Sequence, residues 1–117
     1  MFQPSDIILI PFPFTDLSAN KKRSVLILKA PNFQGDFLAV QITSQPNYEG
    51  ALALQQEDFL LGLLPKKSFI RPDKLVTLNE SLILQRIGKL SEGAFAGIQR
   101  AICLHLGCTE LQRVSGA

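Results

Sequence analysis

The sequence predicts an α+β fold, a small curled β-barrel with one C-terminal helix packed across it. Short apolar runs separated by Pro, Gly and Asn recur along most of the chain, and this pattern is typical of strands. Helical periodicity occurs in a single stretch near the C-terminus. Because the strands come first and the helix comes last, the order favours an α+β arrangement over alternating βα units.

Length and composition indicate one folded domain. The chain has 117 residues, of which 46% are apolar and 19% are charged, and these proportions exclude a disordered protein. We predict one domain over 1–117, with a core over 6–107 and a frayed tail over 108–117. The apolar runs fall short of the ~20 residues that span a bilayer, and the N-terminus lacks the basic start of a signal peptide. The expected location is the cytoplasm, with no membrane partner.

The overall charge is small, but the cations are clustered. Twelve Lys and Arg against ten Asp and Glu give a net charge of +2, too mild for a protein that coats nucleic acid. The two clusters are Lys21, Lys22 and Arg23, and Lys66, Lys67 and Arg71.

The two cysteines do not predict a metal centre. Cys103 and Cys108 lie five apart around His105, and the chain offers no matching set of four zinc ligands. We interpret both as structural thiols and expect no metal and no cofactor. His105, the single histidine, is interpreted as a surface residue of the helix, which removes the usual acid-base residue.

The first three strands have clear limits. An apolar run predicts a strand over Ile7–Ile10, followed by a long proline- and aromatic-rich loop that reaches Asn20. The run behind the first cation cluster predicts a buried strand over Ser24–Lys29. A turn over Gln34–Asp36 then leads to a strand over Phe37–Thr43, so these two strands are expected to form a hairpin.

Shorter elements follow. We expect a strand over Ala51–Leu54 and one or two helical turns over Glu57–Leu61, closed by Gly62. A strand over Ser68–Arg71 stops at Pro72, and the segment Lys74–Leu78 leads to a turn at Asn79–Ser81. The last strand is expected over Ile83–Leu90, where Arg86 and Lys89 can point outward. The helix begins after Ser91 as N-cap and ends at Gly107. Its apolar stripe consists of Phe95, Ile98, Ile102 and Leu106.

Four polar residues are candidates for chemistry. If the second and third strands pair, Arg23 at the start of one lies beside Thr43 at the end of the other. Arg71 and Asp73 are two apart, so in an extended chain they share a face. The simpler interpretations are a solvated cation for Arg23, a turn-starting hydroxyl for Thr43 and an exposed ion pair for the other two. Against them, an Asp between cations stays ionised, and adjacent guanidinium groups suit a phosphate.

Motifs in a consistent order resemble the PemK/MazF family of toxins from bacterial toxin–antitoxin systems. The matching stretches are Asp6–Ile8, Pro11–Asp16, Lys22–Arg23 with Val25–Leu28, Gln41–Ser44, Gly62–Leu64, Ser68–Leu75 and Ile87–Ser91. The likeness covers roughly Asp6 to Gly107. Two positions depart from the family pattern. Ser5 replaces a Gly and is expected to alter only the entry to the first strand, whereas Ser24 replaces a Pro and is expected to loosen the loop that aims Arg23.

The resemblance implies an SH3-like barrel that forms a homodimer and cleaves single-stranded RNA without a metal, through attack of a ribose 2′-OH on the adjacent phosphate. Arg23, Thr43, Arg71 and Asp73 match the family's catalytic positions. In these roles Asp73 accepts the 2′-OH proton, both arginines clamp the charged phosphate, and Thr43 donates a hydrogen bond to it. Expected RNA-binding residues are Lys21, Lys22, Ser44, Lys66, Lys67 and Lys74.

The resemblance also implies a cognate antitoxin whose acidic tail lies over the cationic groove. Two alternatives remain open at this point. One is a non-enzymatic SH3-like toxin that inhibits a protein such as gyrase, and the other is a nuclease fold that now serves only as a binding module.

Overall fold

The computed structural model describes residues 1–11, 22–62 and 66–108. Lys21 with the rest of the predicted 12–21 loop, residues 63–65, and the tail from 109 onward lie outside the described residues. The elements are β1 (Asp6–Pro11), β2 (Lys22–Lys29), β3 (Asp36–Thr43), β4 (Leu52–Leu54), a 3₁₀ turn (Gln56–Asp58), β5 (Phe59–Gly62), β6 (Ser68–Asn79), a second 3₁₀ turn (Glu80–Leu82), β7 (Gln85–Leu90) and α1 (Glu92–His105).

Within the described residues, the seven strands form one antiparallel sheet in the order β4-β6-β3-β2-β1-β7-β5. The sheet curls into a half-barrel, and α1 packs against it. This confirms the predicted α+β class with its C-terminal helix. The sheet is open rather than closed, because β4 and β5 are its two edges.

Both faces of the sheet are buried, which explains the uninterrupted apolar runs. Side chains of a strand alternate between faces, so each central strand supplies residues to two clusters. The cluster beneath α1 contains Ile7, Leu26, Val40, Ile42, Leu54, Ile70, Leu90, Ile98 and Ile102. The cluster on the opposite face contains Ile8, Ile10, Val25, Ile27, Phe37, Ala39 and Leu78.

The helix begins and ends where the sequence predicted. The Ser91 hydroxyl accepts a hydrogen bond from the backbone N–H of Ala94 at 3.2 Å, which caps the first turn. Ile98 and Ile102 are buried as expected. Leu106 is 59% exposed and follows the last helical residue, so the apolar stripe ends one turn earlier than predicted.

The predicted helical turns before Gly62 are mostly wrong. A single 3₁₀ turn forms over Gln56–Asp58, and Phe59–Gly62 is strand β5, paired with β7. Gly62 has a φ of +75°, and a Cβ there would lie 2.4 Å from the carbonyl oxygen of Ile87. Gly62 is therefore required for the close approach of β5 and β7 rather than for a helix end.

The strand predicted to stop at Pro72 continues through it to Asn79 as β6. The register with β3 jumps from Gln41 opposite Arg71 to Val40 opposite Leu75, which leaves residues 72–74 as a bulge. Proline has no N–H to donate, so it fits where the ladder is already interrupted. The bulge carries Asp73 immediately beyond Arg71.

A buried carboxylate anchors the N-terminus to β7. Asp6 is fully buried, and its Oδ1 lies 3.2 Å from Nζ of Lys89 and 3.6 Å from Nη1 of Arg86. Its Oδ2 accepts a hydrogen bond from the backbone N–H of Gln3 at 2.9 Å. Arg86 is exposed, as predicted, although its guanidinium group lies near this buried charge, whereas Lys89 is half-buried against it.

Ser5 occupies a backbone conformation that favours glycine. Its φ is 79°, and its backbone is fixed by hydrogen bonds with Ile27 and Leu90 on either side.

Replacing Ser5 with glycine should remove the left-handed strain and stabilise the protein by about 1 kcal/mol, after allowing for the greater unfolded-state entropy of glycine. Urea unfolding checks this. Ser81→Gly, at an exposed position without a positive φ, is the matched control and should give no gain, and a lower midpoint for Ser5→Gly would contradict the prediction.

Candidate functional site

Pairing of β2 and β3 brings two candidate residues together. Val25 lies opposite Gln41 in this hairpin, and continuing the register by two residues places Arg23 opposite Thr43. Both residues line a groove of about 380 Å³ at this end of the sheet. The predicted neighbourhood of Arg23 and Thr43 is therefore confirmed.

The backbone of Arg23 is firmly held. Arg23 pairs with Ile10 and Ser24 with Leu9, so both lie within the β1–β2 ladder. The loop that Ser24, in place of a proline, was expected to loosen lies outside the described residues, so that expectation stays a prediction. Arg23 is partly buried, and its Nε atom lies inside the protein. The residue lines the groove.

The groove is cationic. Lys22, Arg23 and Lys66 line it, and none of the described residues that line it carries a carboxylate. Positive charges within a concave surface attract and concentrate anions. A phosphate group is the natural occupant of such a surface.

Thr43 combines a turn role with a donor role. Its Oγ1 accepts a hydrogen bond from the backbone N–H of Gln45 at 3.1 Å, so it does begin the following turn, as the simpler interpretation proposed. That bond uses an oxygen lone pair and leaves the hydroxyl hydrogen as a donor. The Thr43 hydroxyl is therefore held in place beside Arg23 and can still donate a hydrogen bond.

Arg71 and Asp73 form a two-bond ion pair next to the groove. Nε of Arg71 donates to Oδ1 of Asp73 at 3.1 Å, and Nη2 donates to Oδ2 at 2.5 Å. The guanidinium carbon also lies 3.5 Å from the ring centre of Tyr48, which lines the groove. Arg71 faces the same side of the sheet as Gln41, its partner on β3. Arg71 thus stands behind the groove wall, with its orientation fixed by Asp73 and Tyr48.

The pair changes the acidity of both partners. The hydrogen bonds from Arg71 lower the pKa of Asp73 below its ordinary value, and Asp73 in turn raises the pKa of Arg71. Asp73 is consequently ionised at neutral pH, as predicted. It is also a weaker base than an isolated carboxylate, because its charge is already stabilised.

A scan against protein-family models matches residues 3–106 to the PemK-like, MazF-like toxins of type II toxin–antitoxin systems. The chain belongs to this toxin family. No curated protein matches the toxin in sequence.

Among the described residues, no helix is long and apolar enough to cross a membrane, and no group of three metal-ligating side chains is placed to hold a metal ion.

Solved structures agree with the toxin's fold. A MazE–MazF crystal structure from Deinococcus radiodurans aligns with a TM-score of 0.71 at 16% identity, over 92% of this toxin and 97% of that chain. An endoribonuclease in complex with its cognate antitoxin, from a mycobacterial species, gives 0.68 at 17%, over 92% and 94%. Mycobacterium tuberculosis toxin MazF-mt6 gives 0.66 at 18%, over 89% and 98%. At these identities the likeness establishes the fold.

The predicted RNA-binding residues of the toxin differ in their position relative to the groove. Lys22, Ser44 and Lys66 line the groove. Lys66 and Lys67 line a second cavity of about 210 Å³, which shares Lys66 and Ser68 with the first and so continues it. Lys74 is exposed on the bulge of β6 and lines neither cavity, and Lys21 lies outside the described residues.

Sequence reasoning missed Tyr48 as a site residue. The side chain lies in the loop after β3, lines the groove and stacks on Arg71. The chain has one tyrosine, and an aromatic residue in a polar loop between two cation clusters is typical of surfaces that stack nucleic-acid bases. That signal was available in the sequence.

Proposed function

We propose that this toxin is a metal-independent endoribonuclease that cuts single-stranded RNA by attack of a ribose 2′-OH on the adjacent phosphate. The observation that carries the proposal is the placement of Arg23 beside Thr43 in a cationic groove, with Arg71 directly behind the groove-lining ring of Tyr48. Family membership supports a toxin, and structural relatives described as endoribonucleases support this chemistry. An RNA substrate favours the cytoplasm as its place of action.

In this mechanism the 2′-OH passes its proton to Asp73 or to water and its oxygen forms a bond to phosphorus, while the bond to the 5′-oxygen breaks and that oxygen takes a proton from water. The products are a 2′,3′-cyclic phosphate and a free 5′-OH, and DNA, which lacks the 2′-OH, is not cut. Negative charge accumulates on the phosphate oxygens in the transition state. Arg23 and Arg71 stabilise that charge, and the Thr43 hydroxyl donates a hydrogen bond to one of those oxygens.

Because the pKa of Asp73 is lowered, we expect Asp73 to contribute more by orienting Arg71 than by accepting a proton. Asp73→Asn keeps one oxygen that accepts from Arg71 but removes the base, whereas Asp73→Ala removes both. If orientation dominates, the Asn variant should retain several-fold more activity than the Ala variant. Equal losses of about 10²–10⁴-fold in both variants would instead identify Asp73 as the proton acceptor.

The same pKa shift sets an expected pH dependence. The pKa of Asp73 lies below the ordinary value of about 4. If Asp73 must be ionised for cleavage, its contribution to the rate is lost only as the pH falls through that lower pKa. The Asp73-dependent part of the cleavage rate should therefore be constant from about pH 5 to 8. Comparing the pH profiles of the parent toxin and Asp73→Asn measures this part. A limb near pH 6 that vanished in the variant would contradict it.

We further propose that the toxin forms a homodimer and is neutralised by a cognate antitoxin with an acidic tail. The cationic groove, continued by the Lys66–Lys67 cavity, offers such a tail a complementary surface. An acidic tail peptide should bind more weakly as salt rises from about 0.05 to 0.3 M, because exposed charge pairs are screened. Affinity that does not depend on salt would contradict an electrostatic contribution.

Incubation of the purified toxin with mixed RNA in EDTA tests the function itself, with an unrelated metal-independent nuclease as a positive control on the same RNA. We expect cuts at a restricted set of short sequences, leaving 5′-OH and cyclic phosphate ends. Cleavage in chelator would exclude a metal nuclease. Intact RNA in the toxin lane alone would refute the proposal and favour a non-enzymatic inhibitor or a binding module.

A further inference from the structure

The helix C-terminus brings the two cysteines of the chain together. The backbone N–H of Cys108 donates to the carbonyl oxygen of Cys103 at 2.8 Å, and that of Gly107 donates to Leu104 at 3.0 Å. Gly107 has a φ of +88°. These two bonds and the left-handed glycine define a Schellman motif, in which the residues placed as Cys103 and Cys108 commonly contact each other.

The backbone geometry is compatible with a disulfide. With one hydrogen bond of 2.8 Å joining the two residues, standard bond lengths limit the Cα–Cα separation of Cys103 and Cys108 to at most about 6.7 Å. Disulfides form at Cα separations of about 4.4–6.8 Å. The two residues are therefore close enough to be bridged with little movement of the backbone.

The thiols are also accessible to solvent. Both cysteines are exposed, so neither contributes the packing expected of a structural thiol. A hydrogen bond between the two side chains raises the pKa of the Cys103 thiol. Neither residue lines the candidate groove.

We propose that Cys103 and Cys108 form a vicinal dithiol site that peroxides oxidise to an intramolecular disulfide. One thiolate attacks the O–O bond of hydrogen peroxide, which gives a sulfenic acid and releases hydroxide that takes up a proton to become water. The second thiol then displaces the sulfenic oxygen as another water and forms the S–S bond. Both sulfurs are oxidised by one electron each, and the peroxide is reduced by two. This site is independent of the proposed ribonuclease activity.

Mass spectrometry of the full chain, before and after peroxide, tests the proposal. Reduced protein should accept two alkylating groups. Peroxide-treated protein should accept none, lose two hydrogen atoms in mass, remain monomeric on a non-reducing denaturing gel, and recover both thiols with dithiothreitol. Cys103→Ser and Cys108→Ser, with folding checked by circular dichroism, should each fail to lose the two hydrogens.

Phenylarsine oxide supplies an independent test, because one arsenic atom binds two neighbouring thiolates. Reduced protein should bind it in a 1:1 ratio, and either serine variant should lose that binding. Two alkylatable thiols after peroxide, oxidation only to interchain dimers, or a gain of oxygen atoms on each separate cysteine would each overturn the proposal.

Discussion

Replacing Arg23 with alanine should lower the rate of RNA cleavage by about 10²–10³-fold, the usual loss when one charged transition-state contact is removed. We expect the fold to survive, because Arg23 lies near the start of β2, before its buried core residues Val25, Leu26 and Ile27. Single-turnover cleavage of a mapped RNA, with the unfolding midpoint measured in parallel, separates the two effects.

The same strand offers a matched control for Arg23. Lys29 is an exposed cation at the opposite end of β2, so Lys29→Ala changes the net charge equally but should leave cleavage unchanged. Arg23→Lys keeps the charge without the two-pronged donor geometry and should fall between parent and alanine variant. Equal activity of Arg23→Ala and Lys29→Ala would show that the groove is not the site of chemistry.

Replacing Lys89 with methionine should destabilise the protein by about 3 kcal/mol, because it leaves the buried charge of Asp6 without its nearest cation. This is the low end of the usual range, since Arg86 and the N–H of Gln3 still face the carboxylate. Methionine preserves the length and apolar stem of lysine, so packing changes little. Urea unfolding provides the measurement.

Arg86→Met is the matched comparison for Lys89→Met. The Arg86 side chain is 46% exposed and lies 3.6 Å from Asp6, so its loss should cost less than about 1 kcal/mol. If the two variants unfolded at the same urea concentration, Lys89 would not be the principal counter-charge of Asp6.

Local chemistry explains which parts of the fold the sequence predicted. Strands β1, β2 and β3 have long apolar runs ended by turn residues, and α1 has both a Ser91 cap and a Gly107 stop, so their positions were predictable. The errors fall where tertiary contacts override local preference. Phe59 and its neighbours resemble a helical turn but become an edge strand because β7 offers a pairing partner.

Pro72 shows the opposite limitation. A proline at the end of a strand-like segment predicts that the strand stops there, yet β6 continues through it because the bulge tolerates a missing donor. A bulge is a property of two strands in register, and one strand's sequence does not contain it.

The candidate site divides in the same way. The hairpin alone predicted that Arg23 and Thr43 are neighbours, since strand order fixes which ends meet. The contact of Arg71 with Tyr48 depends on how the loop after β3 folds back over β6, and residue spacing does not reveal that. The exposed side chains of Lys22 and Lys66 line one groove although they are far apart in the sequence, and only the folded chain reveals this.

Cleavage of an RNA that carries a single 2′-deoxy nucleotide immediately 5′ of the mapped scissile phosphate tests the central claim most directly. We predict that cutting at that bond falls below detection while a second, unmodified site in the same molecule is cut at the parent rate. Equal cutting at both sites would show that the nucleophile is not the ribose hydroxyl and would contradict the chemistry assigned to Arg23, Thr43 and Arg71.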